Sequence, residues 1–108
     1  MHTPMKLIKF EQTNCTPCKM LGNYLHNELG VEVDEVVNIS EGTITDMKTG
    51  TLVNSDDPDQ AMELAGEFGI MKTPTMVLVD ADTGEELDRF SGVGQTGVNA
   101  ILTKRGLI

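Results

Sequence analysis

Cys15 and Cys18 are the only cysteines in this chain of 108 residues, three apart in the run Thr13-Asn14-Cys15-Thr16-Pro17-Cys18-Lys19. On a helix, residues i and i+3 share a face with side chains about 5–6 Å apart, within the reach of a disulfide. At the first turn of a helix, free N–H groups and the helix dipole favour negative charge, so Cys15 is predicted to be the exposed, reactive thiolate. Pro17 suits that first turn, where a missing N–H costs nothing. As a staple the pair would do little: closing four residues is worth about 2 kcal/mol, against nearly 5 for a loop of about a hundred. Reversible opening and closing is the better use of such a spacing. Two metal readings compete with it. His2 and His26 would complete a zinc site with the cysteines. Met20, Met47, Met62, Met71 and Met76 read as gap-fillers rather than as a copper site.

The neighbouring elements have to hold this pair in place. Met5–Phe10 is apolar on both parities and reads as a central strand leading into the motif. A helix is expected from about Cys15 to Leu29, burying Cys18, Leu21, Leu25 and Leu29, with Gly30 as terminator. Gly22 is read as permitting close packing on the sheet. Val31–Ile39 mixes valines with acids, as an edge strand with one wet face would. Residues 40–55 resemble an insertion, with short strands at Thr43-Ile44-Thr45 and Thr51-Leu52-Val53 around a Lys48-Thr49-Gly50 turn.

A second helix is expected with Asp57 as N-cap, Pro58 at the first position and Gln60 at the capping-box position. Its apolar face is Ala61, Leu64, Ala65 and Phe68, and Gly69 ends it. Thr75–Val79 reads as another central strand. The turn Asp80–Gly84 then leads into an antiparallel edge at Glu85–Phe90. A last helix begins near Thr96 and turns Val98, Ile101 and Leu102 inward. The order β-α-β-(insert)-α-β-β-α implies a mixed sheet, parallel across its first βαβ unit, with helices on both faces of one α/β domain, residues 1–108.

Composition narrows the function further. A net charge of −9 and a pI near 4.4 argue against nucleic acid or an anionic membrane as a partner. No apolar run reaches membrane-spanning length, and Met1-His2-Thr3-Pro4 leads almost directly into the first strand, so no signal peptide is expected. A vicinal cysteine pair in such a chain suits the reducing cytoplasm.

Three pieces, in one order, resemble the thioredoxin family, and the likeness spans most of the chain. They are Cys15-Thr16-Pro17-Cys18-Lys19, the segment Phe68-Gly69-Ile70-Met71-Lys72-Thr73-Pro74-Thr75, and Ser91-Gly92. The resemblance implies a thioredoxin-like fold, with Cys15 as nucleophile, Cys18 as resolving thiol and Pro74 as a cis-proline packed on the disulfide. It also implies that Thr16, Pro17, Thr73, Pro74 and Gly92 meet the substrate, Thr73 through its backbone and Gly92 by having no Cβ. Asn14 stands where the family usually carries tryptophan, and Thr16-Pro17 replaces its Gly-Pro. Lys9 occupies the place of the buried aspartate that assists deprotonation of the second cysteine. It reads as a lysine snorkelling from the strand end beside Glu11, or as support for a thiolate.

The expected function is reduction of protein disulfides by a monomer that needs no metal or organic cofactor, with electrons from a reductase or from glutathione. The alternatives are a glutaredoxin-like or isomerase-like redoxin, and a non-catalytic module that binds through the same fold.

Overall fold

The structure, a computed structural model, describes residues 4–108. Its elements are β1 (Met5–Glu11), α1 (Thr16–Asn23), β2 (Glu35–Asn38), β3 (Thr43–Asp46), β4 (Thr51–Leu52), α2 (Gln60–Glu67), β5 (Thr75–Asp80), β6 (Glu86–Ser91) and α3 (Gln95–Arg105). The strands form one sheet in the order β4-β3-β2-β1-β5-β6. β1 runs parallel to β2 and antiparallel to β5. The outer pairs β2–β3, β3–β4 and β5–β6 are all antiparallel.

Side-chain alternation along the strands divides the core into two layers. Leu7, Met76 and Leu78 pack against Leu21 of α1, Leu25 just beyond it, and Val98, Ile101 and Leu102 of α3. On the other face, Ile8, Phe10, Val77 and Val79 meet Ala61 and Ala65 of α2. Phe10 stacks edge-to-face on Phe68 at 5.9 Å between ring centroids. Leu7 and Phe10 are fully buried, and a side chain so placed contributes about 1.5–3 kcal/mol. Burial on both faces explains why β1 and β5 have no polar parity.

Several expectations are corrected. The strand expected over Val31–Ile39 is formed only by Glu35–Asn38, and it is not an edge. Residues 43–52 pair outside it as β3 and β4, around the turn the sequence suggested. The valine–acid mixture is not a wet face: Val33 turns into the core before the strand starts, and the Asp34 and Glu35 side chains are mostly buried in ion pairs. The first helix keeps α-helical winding only to Asn23 and continues as a π-helix over Tyr24–Leu29, ended by Gly30 at φ 65°. Leu25 stays buried in that turn while Leu29 is half-buried, and the Tyr24 hydroxyl donates to Asn99 Oδ1 of α3 at 2.8 Å.

α2 starts at Gln60, and no capping box forms. Instead the Asp57 carboxylate accepts the Asp59 N–H at 3.1 Å, an Asx turn just ahead of the helix, and Asp59 at the cap position makes no side-chain capping bond. Gly22 is not packed on the sheet, since a Cβ there would meet nothing within 4 Å. Of the five methionines read as gap-fillers, Met76 is fully buried and Met47 packs on the core, but Met20, Met62 and Met71 are exposed.

Asn54 is the residue that folds the 40–55 segment onto the body. It is 5% exposed. Its Oδ1 accepts the Ile44 N–H at 2.8 Å, and its Nδ2 donates to the carbonyls of Gly42 at 2.8 Å and Asp57 at 3.0 Å. One amide thus ties the hairpin to the entry of α2. Asn54→Ala strands those three backbone groups and is expected to cost about 2 kcal/mol. Urea unfolding checks this: the midpoint should fall at unchanged slope.

Candidate active site

The sheet gathers the site at one end. Phe10 pairs with Thr75 and Thr75 with Ser91, so the segment after β1, the approach to β5 and the exit of β6 lie side by side. Between β1 and α1 the chain turns sharply through Asn14, the one non-glycine residue at positive φ (58°) among the described residues. Asparagine tolerates that left-handed conformation far better than a bulky side chain would. Cys15 is the N-cap of α1, with Thr16 and Pro17 exposed in the first turn.

Cys15 and Cys18 are joined as a disulfide, with their Cα atoms 5.2 Å apart. Cys15 is partly exposed, whereas Cys18 is 6% exposed and faces the core. The Cys18 N–H points at Cys15 Sγ at 3.3 Å, one of the helix-start donors satisfied by sulfur. The Thr73–Pro74 peptide bond is cis. Thr73 sits over the outer sulfur: Cys15 Sγ lies 3.5 Å from its Oγ1 and 3.8 Å from its carbonyl oxygen. Pro74 is buried, and its carbonyl accepts the Gly92 N–H at 2.9 Å. Gly92 has φ 105° and open space where a Cβ would stand, so backbone conformation is what demands glycine there. Cys15 therefore touches both Cys18 and Thr73, Thr16 and Pro17 follow it in the helix's first turn, and Gly92 is tied to the site through Pro74.

Residues the sequence did not single out complete the setting. The Thr73 hydroxyl donates to Gln12 Oε1 at 3.0 Å. That leaves its lone pairs toward Cys15, as acceptors for a thiol S–H in the reduced form. The Thr13 N–H donates to Ser40 Oγ at 3.1 Å, fastening the Cys15 loop to the turn after β2. Lys9 does not snorkel. Its side chain is only 10% exposed, and its ammonium lies 3.4 Å from Glu11 Oε1. On the opposite flank, Met62, Ile70 and Met71 line a groove of about 400 Å³ that ends at Gln12 and Thr73. His2, one of the two histidines in the zinc reading, lies outside the described residues. Among the described residues no three His, Cys, Asp or Glu side chains are grouped to hold a metal ion. No described helix is long and apolar enough to cross a membrane.

A disulfide at the start of a helix, at the carboxyl end of a central strand and facing a Thr–cis-Pro turn, marks a thiol–disulfide redoxin. No family model matches the chain. The SPbeta prophage-derived thioredoxin-like protein YosR of Bacillus subtilis is 37% identical over 98 residues, 91% of this chain and 95% of that protein. The thioredoxin of Malassezia sympodialis superposes with a TM-score of 0.60 at 20% identity, covering 95% of this chain and 78% of its own. The Fasciola hepatica thioredoxin gives 0.58 at 22%, covering 96% and 83%. These structures share the fold, and the sequence relative shows the kinship: the chain belongs to the thioredoxin family.

Proposed function

We propose that this protein reduces disulfides in other proteins through the Cys15–Cys18 couple. The observation that carries the reading is the asymmetry of the two sulfurs. Cys15 is partly exposed at the helix start and receives an N–H, while Cys18 is shielded one turn further in. The outer thiolate attacks a substrate disulfide, and the inner thiol attacks Cys15 and releases the reduced substrate. Thr16, Pro17, Thr73, Pro74 and Gly92 form the rim against which an extended substrate segment lies. The exposed methionines beside Thr73 suit varied protein surfaces, because a thioether side chain adapts its shape. The protein acts as a monomer in the cytoplasm, needs no cofactor, and is recharged by a reductase or by glutathione.

The test is reduction of insulin disulfides driven by dithiothreitol. The protein should accelerate it, and Cys15→Ser should abolish the acceleration. Iodoacetamide should modify Cys15 of the reduced protein well before Cys18. An inert wild type, or prior labelling of Cys18, would defeat the reading.

A further inference from the structure

Beside Cys18 the balance of charge is the reverse of that in the whole chain. A cavity of about 370 Å³ is lined by Cys18, Lys19 and Gly22 of α1 and by Lys9 and Glu11 of β1. The charged groups facing it are thus two ammonium ions and one carboxylate, in a chain with 8 basic and 17 acidic residues. Lys9 is the unusual member. Lysines paired elsewhere keep 40–72% of their side chains exposed, whereas Lys9 keeps 10%. A lysine stem normally carries its charge to water, and burying that charge is costly unless something answers it. Glu11 answers it in part, at 3.4 Å, from a side chain that is itself 26% exposed. The space over Gly22 is open: a Cβ there would touch nothing within 4 Å.

We propose that Lys9 is the counter-charge of the Cys18 thiolate, only partly offset by Glu11, and that it speeds the resolving step. The inference rests on the reading of Cys15 and Cys18 as nucleophile and resolving thiol. In the mixed disulfide, the Cys18 thiol gives its proton to solvent, and the Lys9 ammonium stabilises the thiolate left behind. That thiolate attacks Cys15 Sγ. The Cys15–Cys18 bond forms, the bond from Cys15 to the substrate sulfur breaks, and the electron pair leaves on the substrate thiolate, which takes a proton from water. The dithiol has then lost two electrons and the substrate disulfide has gained them.

Stopped-flow reaction of the reduced protein with 5,5′-dithiobis(2-nitrobenzoate) separates the steps, since attack and resolution each release one coloured thiolate. Lys9→Met is expected to leave the first release within about twofold and to slow the second about tenfold at pH 7, through a smaller thiolate fraction. The deficit should close as the pH rises toward 10, and Lys9→Arg should restore the rate. Glu11→Gln, at a more exposed side chain, should quicken the second release by removing a negative charge. It also carries the test if Lys9→Met does not fold. A purely structural ion pair would lower the melting temperature of Lys9→Met and leave the second release unchanged; that result overturns the inference while the two-step exchange stands. Slower resolution in Glu11→Gln overturns it equally. If the wild type releases only one thiolate, or two from independent cysteines, the dithiol reading itself falls, and this inference with it.

Discussion

Cys18→Ser is expected to accumulate covalent adducts with its protein substrates, and Cys15→Ser to accumulate none. Both variants should lose turnover by about a hundredfold or more, because each removes one half of a two-step exchange. They fail at different points. Without Cys15 there is no exposed sulfur at the helix start, and Cys18, at 6% exposure, cannot meet a disulfide on a large partner. Without Cys18 the attack still occurs, but nothing inside the protein can displace the substrate from Cys15. Non-reducing electrophoresis of each variant in a cell extract, with a dithiothreitol-treated control, reads the difference directly. The trapped partners would also name the substrates. Equal trapping by both variants would remove the assigned roles. No trapping by either, with partner binding intact, would favour a non-catalytic module on the same fold.

The parts of this site that were legible in the sequence are those with local causes. Two cysteines three apart at the start of a helical pattern, and Thr73-Pro74 ahead of an apolar run, carry their meaning within a few residues. The same holds for β1 and β5, which are apolar on both parities, and for α3, whose Val98, Ile101 and Leu102 recur at helical spacing. What was illegible depends on partners far along the chain. β2 looked like an edge because valines are mixed with acids there; it is interior because β3 returns beside it, which no pattern within Val31–Ile39 reveals. The role of Asn54 in that return is a matter of three backbone groups it happens to reach. Gln12 became part of the site only through Thr73, 61 residues away. The entry of α2 offered two ways to satisfy its first N–H groups. The local Asx turn at Asp57 prevailed over the capping box, a competition between hydrogen bonds of similar strength. The π-helical winding after Asn23 left no mark in composition that distinguishes it from an ordinary helix.

The largest stability loss is expected from Asp34, a residue far from the sulfurs. Its carboxylate accepts from Arg105 twice, Nε to Oδ2 at 2.6 Å and Nη2 to Oδ1 at 2.8 Å. It also accepts the Leu7 N–H at 2.8 Å and lies 3.7 Å from the Lys48 ammonium. One side chain, 10% exposed, therefore joins the start of β1, the β3–β4 turn and the last turn of α3. Arg105 at that last turn also complements the helix dipole. Asp34→Ala leaves the Arg105 charge unpaired at 22% exposure, and such a loss is expected to cost about 3–5 kcal/mol. Asp34→Asn, which keeps an acceptor for Leu7, should cost less.

The pH dependence follows from the same geometry. Burial acts most strongly on the Asp34 carboxyl and raises its pKa. The Arg105 hydrogen bonds, the Leu7 amide and the charges of Arg105 and Lys48 together outweigh burial and hold it below the ordinary value. A carboxyl lowered by folding contributes stability that is complete above its unfolded pKa, about 3.9, and is lost as pH falls through the folded one. Glu86 and Asp88 are lowered too, by Arg89 and Lys104, but those pairs are a third or more exposed and salt should screen them. In high salt, then, the gap between the urea midpoints of wild type and Asp34→Ala should be constant from pH 7 to about 5 and shrink below about 4. A gap that stays constant down to acid unfolding would show that Asp34 contributes by packing rather than by charge.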